Sequence, residues 1–328
     1  MLPVSVLDLS PVGIGSSIAE SFHNSVVLAQ NAEALGYKRI WFAEHHNMPG
    51  IASAATSVLL CHIGHHTQHI RIGAGGIMLP NHAPLAIAEQ FGTLNTLFGD
   101  RIDLGLGRAP GSDPTTIRAM RRHHHLHEEE HFADEVVDML NYFDNPGHSH
   151  VQAIPGVGTH IPIWILGSST YGANLAAHLG LPYAFASHFA PQLLPQALYL
   201  YRQNFKPSKH LAKPYVMLAV NVIIADSHEE AQYHFSSLQQ AFLNTRRGIH
   251  TQIPKPIENI QAIWSESEKL SVMHSLSCSF IGTTETVQMQ LDLFRKEYQP
   301  DELIITQLIH DQNIRLHTLH QFKTLNLD

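Results

Sequence analysis

Residues 39–75, RIWFAEHHNMPGIASAATSVLLCHIGHHTQHIRIGAG, read as a strand, a helix and a second strand in succession. Arg39–Ala43 is an apolar and aromatic run that breaks into polar residues at Glu44, Ala52–His65 carries apolar positions at helical spacing, and Ile70–Gly75 is again a strand-like run. Two strands joined through a helix pair in parallel. The unit repeats in both directions. Upstream lie Val4–Leu9 and the amphipathic Ala19–Leu35; downstream lie Pro84–Phe98, opening on a proline that a first helical turn tolerates, and Ile102–Leu106. Ile163–Leu166, Tyr183–Ser187, Val216–Ile224 and Glu302–Thr306 bring the candidate strands to eight. Eight parallel strands with crossovers between them predict an α/β fold of the (β/α)8 TIM barrel type, because closure leaves no edge strand and each crossover covers one outer flank. An open doubly wound sheet shares the same alternation.

The remaining chain falls mainly at Gly111–His160 and Thr245–Ser279. These are expected as insertions on loops of one domain spanning residues 1–328, placed where barrel loops shape a pocket. With 44% apolar and only 15% charged residues, the 328-residue chain can bury a large core throughout. A net charge of −8 excludes a polybasic nucleic-acid binder, although protonating all 26 histidines would reverse its sign. Cys61 and Cys278 are too few for a disulfide framework or a four-cysteine zinc site. No basic leader precedes an apolar run at the N-terminus, and no stretch approaches 18 uninterrupted apolar residues. A soluble, cytoplasmic protein with neither a nucleic-acid nor a membrane partner is expected.

Polar residues at the ends of the strands are the candidates for chemistry, since catalytic groups of a barrel gather at its C-terminal rim. Glu44, His45, His46 and Asn47 follow the second strand, where an imidazole can donate a hydrogen bond or carry a proton near neutral pH. A purely structural hydrogen-bonding role for Glu44 and a neighbouring histidine fits the position equally well. Gly73, Gly75 and Gly76 end the third strand, allowing close approach of a flat ligand or marking a bulge. Arg108 ends the fourth, a cation suited to a phosphate. The turn Gly167-Ser168-Ser169-Thr170-Tyr171-Gly172 leads from the fifth strand into a helix, and its free amides and hydroxyls suit a phosphate as well as an ordinary helix cap. The run His127-Glu128-Glu129-Glu130-His131 matches His-Glu-x-x-His, yet the whole segment 123–131 is polar and reads as a solvated helix; no metal site is expected. Neither a P-loop, nor a Gly-x-Gly-x-x-Gly fingerprint, nor a Gly-x-Ser-x-Gly elbow is present.

Four segments taken in order, Ala43–His46, Gly73–Pro80, Gly99–Arg108 and Gly167–Ser169, resemble the luciferase-like flavin-dependent monooxygenase family, related to bacterial luciferase. The similarity runs from Val4 to about Ile309. It implies a (β/α)8 barrel with reduced FMN across its mouth, the Gly75-Gly76 region under the isoalloxazine ring with a non-prolyl cis peptide, and Gly167, Ser168, Ser169 and Gly172 around the phosphate, helped by Arg108. It implies His45 as the proton donor or hydrogen-bond partner at the reactive edge. Gly107 stands where bacterial luciferase has a reactive cysteine, so light emission is not expected. The resemblance further implies a small organic substrate and O2, reduced FMN supplied by an NAD(P)H-dependent flavin reductase, and a homodimer formed through early barrel helices. Related barrels use the deazaflavin F420 for hydride transfer, and a non-catalytic flavin-binding protein would keep the phosphate cradle without needing His45. Both stand as alternatives.

Overall fold

The computed structural model describes residues 2–109, 113–120, 131–144 and 151–327. In chain order it contains β1 (Val4–Asp8), α1 (Ile18–Ala34), β2 (Arg39–Phe42), α2 (Thr56–His66), β3 (Arg71–Met78), α3 (Pro84–Phe98), β4 (Ile102–Gly107), α4 (Pro114–Met120), α5 (Phe132–Asp144), β5 (Ile163–Gly167) and α6 (Thr170–Leu179). It continues through β6 (Tyr183–Phe185), α7 (Leu194–Asn204), β7 (Val216–Ile224), α8 (His228–Arg246), α9 (Glu266–Ser275), β8 (Ser279–Gly282), α10 (Thr284–Tyr298), β9 (Glu302–Thr306) and α11 (Gln312–Phe322).

Strands β1 to β7 and β9 close into a parallel ring, with β6 paired to β7 and β9 returning to β1. This is the TIM-barrel architecture that the alternating pattern predicts. One strand more than expected is present: β8 lies at the end of the segment read as an insertion. Its four residues, SFIG, are too short to show a period against the surrounding loop. It pairs only with β7, at Asn221–Ile224, beyond the stretch Val216–Leu218 that holds β6. The upper part of β7 is thereby anchored outside the ring.

Several helices start on residues suited to satisfy free amides. Ser17 caps α1 and Ser265 caps α9, each in a reciprocal box with the glutamate three residues on, and Pro84 opens α3. The helices' apolar sides pack on the outer faces of the strands. Inside the ring a second cluster contains Leu7, Trp41, Trp164, Met217 and Ile304, with the Trp41 and Trp164 rings edge-on at 5.2 Å. Below it, at the strands' N-terminal ends, charged side chains form a floor. Arg39, 4% exposed, bonds Asp103 Oδ2 at 2.6 Å and Glu302 Oε1 at 2.8 Å. Arg71 completes the pairing of Asp103, and Lys38, Tyr215 and Ser5 donate to Glu302. Floor and aromatic layer close the lower end of the barrel and leave the C-terminal end for a site.

Candidate functional site

A cavity of about 630 Å³ occupies that C-terminal end, within the range of small-molecule and cofactor sites. Its walls take residues from each strand of the ring or from the loop directly after it, and the last turns of α8 with residues 249–253 cover one side. That cover belongs in part to the 245–279 segment. His45, Gly75, Arg108, Gly167, Ser168, Ser169 and Gly172 all line this cavity. Gly76 is not on its wall: a Cβ there would press into Leu166 and lie 2.6 Å from the Gly105 carbonyl oxygen. The Gly75–Gly76 peptide is cis, and the register with β4 shifts between Gly75 and Ile77.

Glu44 explains why this part of the rim holds its shape. Its backbone N–H donates to Gly76 O at 3.0 Å, while its buried carboxylate accepts from the Met78 amide (2.9 Å), His46 Nε2 (2.7 Å) and His82 Nε2 (2.9 Å). Burial pushes this carboxyl's pKa up, but His82, His46 and the Met78 amide outweigh it and hold the group below its ordinary value. Glu44 therefore stitches the end of β2 to the end of β3. It places His45 beside Gly75 without facing the cavity.

His45 follows directly, half-buried, with Nδ1 sealed from solvent and unpartnered. Burial lowers its pKa more than the Ala43 carbonyl and the Glu44 charge raise it, so the ring is neutral at pH 7. A neutral imidazole can both accept and donate a proton.

At the other end of the cavity Ser169 is the N-cap residue of α6, yet its side chain makes no capping hydrogen bond. Among the described residues the hydroxyls of Ser168 and Ser169 have no partner in the chain, so they and the first-turn amides remain available to an anion. Gly172 has little room for a side chain, since a Cβ would stand 3.2 Å from Leu166 O. Arg108 lies with its guanidinium 4.2 Å from the Tyr171 ring centroid, and no described carboxylate neutralises it. Hydroxyls, helix amides and an unneutralised cation at one end, with a glycine floor leading from it to His45, fit a phosphorylated planar cofactor such as FMN. The segment 123–130 lies outside the described residues; among those described no metal-ligand cluster occurs.

Two site residues were not visible as such in the sequence. His188, after β6, has its Nδ1 buried and unpartnered, and burial together with neighbouring His45 pushes its pKa down to about 3. Asn221 of β7 donates to His188 O at 2.6 Å and to Ser279 Oγ of β8 at 3.0 Å. A signal was there to be read. Phe185-Ala186-Ser187-His188 repeats the form of Phe42-Ala43-Glu44-His45, each histidine three residues past its strand's last residue.

Comparison with known proteins agrees with this geometry. The family model for luciferase-like monooxygenases matches residues 2–298. A protein of Escherichia coli strain K12 described as a luciferase-like monooxygenase is 52% identical over 315 residues, covering 96% of this chain and 94% of its own. Among solved structures, apo-MsnO8 superposes with a TM-score of 0.87 at 29% identity, over 99% of this chain and 98% of its own. The oxygenating constituent of 3,6-diketocamphane monooxygenase from Pseudomonas putida, a type II Baeyer-Villiger enzyme in complex with FMN, shares the fold at a TM-score of 0.68 and 15% identity, over 98% and 97% of the two chains. No helix among the described residues is long and apolar enough to cross a membrane.

Proposed function

The chain belongs to the luciferase-like monooxygenase family, and from that premise we propose that it is a flavin-dependent monooxygenase that uses reduced FMN and O2 to oxygenate a small organic substrate. The observation that carries this reading is the pairing, in one cavity, of an uncommitted serine cradle at the start of α6 with a neutral histidine across a glycine floor. In this reading Gly167, Ser168, Ser169 and Gly172 hold the FMN phosphate, and Arg108 balances its charge. Gly75, with Gly76 behind it, lets the flat ring lie close to the β3 backbone. Bound reduced flavin supplies the electrons that activate O2. His45 gives a proton or a hydrogen bond at the cavity-facing nitrogen, Nε2, and the apolar walls keep water from the reacting centre.

The absence of a nicotinamide fingerprint in the sequence supports a separate NAD(P)H-dependent flavin reductase as the source of reduced FMN. A homodimer belongs to the same proposal, and exposed Ile18, Val58 and Leu97 on α1, α2 and α3 offer apolar surface for it. So does a single domain over residues 1–328, working in the cytoplasm. Anaerobic titration with FMNH2 and with reduced F420, followed by mixing with oxygen, tests the whole reading. Tight binding of FMNH2 and oxygen-dependent flavin reoxidation are expected. Preference for reduced F420 without reaction with O2 would assign hydride transfer instead, and binding without any turnover would leave a flavin carrier.

A further inference from the structure

His45 and His188 hold equivalent places on opposite sides of the ring. Strands β2 and β6 are four apart in the cyclic order, and each histidine stands three residues beyond its strand's end. The FMN reading assigns β3, β4 and β5 to the flavin through Gly75, Arg108 and the serine turn. His45 stands at one border of that arc. It assigns nothing to β6, β7, β9 and β1, whose part of the cavity includes the apolar Leu9, Phe189, Leu238, Phe242 and Leu308.

In this apolar half His188 is held firmly. Asn221 grips its carbonyl, Ser279 grips Asn221, and the Phe189 ring packs edge-on against the imidazole at 4.7 Å. Its Nδ1 is sealed with no partner, while the half-buried residue lines the cavity, which leaves Nε2 as the nitrogen with access. A sealed lone pair is tolerated better than a sealed N–H, so the proton of the neutral ring belongs on Nε2. The ring thus presents a donor to the cavity. No aspartate or glutamate lines the described wall, so nothing there welcomes a cation. Arg246 and His250 also reach the wall from the end of α8, where the Arg246 guanidinium is already bonded to Ser271 and Ser275.

We propose that His188 determines substrate specificity by donating a hydrogen bond from Nε2 to an acceptor oxygen on an otherwise apolar substrate. That substrate lies over the β6, β7, β9 and β1 side of the mouth. The proposal rests on the FMN reading for its division of the cavity, and its test is independent of it.

Cycloheptanone and cycloheptane serve as probes that differ by one oxygen. Calorimetric titration of the apoprotein and of the protein loaded with oxidised FMN is expected to give a ketone-to-alkane affinity ratio that falls about three- to tenfold in His188→Phe, the usual worth of one hydrogen bond. His188→Gln, which keeps a donor, retains most of the ratio. In the parent protein the infrared carbonyl stretch of bound cycloheptanone is lowered, and it recovers in His188→Phe. An unshifted stretch in the parent protein overturns the proposal even if the phenylalanine variant fails to fold. So does a ratio that survives in His188→Phe, or a loss of FMN affinity with the ketone preference intact. Failure of FMN to bind at all would instead remove the flavin reading and leave the apoprotein ratio to judge His188.

Discussion

Replacing His45 by alanine takes the imidazole out of the cavity and leaves the serine cradle untouched. Oxygen-dependent turnover should fall by about 100-fold or more while the dissociation constant for FMN changes less than about threefold; stopped-flow kinetics and flavin fluorescence quenching read the two separately. An unchanged rate would remove His45 from the mechanism. At the opposite end, Ser169→Asp puts a carboxylate beside the phosphate. Aspartate is itself a favourable N-cap, so α6 should keep its stability. FMN affinity alone is then expected to drop, by about tenfold or more, in the same quenching titration. Equal affinities would place the phosphate elsewhere. The sequence showed both residues because each follows an abrupt change from apolar strand to polar turn. His188 obeys the same rule but stood as one histidine among 26; only closure of the ring brings it opposite His45.

At the scale of elements, β3 and β4 pack with almost no space between their backbones. A Cβ on Gly105 would press against the carbonyl oxygen of Ala74 and lie 3.1 Å from Leu166 Cδ1. The first contact is backbone, which cannot rotate away. Gly105→Ala should therefore destabilise the protein by about 1–3 kcal/mol, seen as a lower urea midpoint, and weaken FMN binding by displacing Gly75. Wild-type stability in this variant would mean that the two strands separate at little cost. Repeated strand and helix patterns made most elements of the ring legible. Two things escaped: β8, whose four residues have too little length for periodicity, and the link it makes through Ser279 and Asn221 to His188. That link joins residues 279, 221 and 188, and no local pattern in a single sequence records such a connection.

Across the whole molecule, the buried ion-pair network of Arg39, Asp103 and Glu302 sits at the closed end of the barrel. Arg39→Met would leave Asp103 and Glu302 buried with their main counter-charge gone, so a loss of about 3 kcal/mol or more in unfolding free energy is expected from denaturant titration. A loss under about 1 kcal/mol would show that Arg71 and Lys38 suffice. The histidines of the mouth set a pH dependence of the opposite kind. His188 titrates near 3 when folded and near 6.5 when unfolded, so between these values the unfolded chain binds the extra proton. Stability is complete above about pH 6.5 and is lost as the pH falls through that window, by at most about 1.4 kcal/mol per unit for this group. His188→Gln should remove that share of the loss, so its melting temperature relative to the parent's rises on acidification. A constant difference from pH 7 to pH 4 would mean that His188 is as easily protonated in the fold as outside it.

The charged floor has one more consequence. Because Arg39, Asp103 and Glu302 stop the lower end of the cylinder, nothing threads through it from below, and a guest comes and goes on the side of the strands' C-terminal ends. Two guests that react there share that side and meet without either passing through the protein.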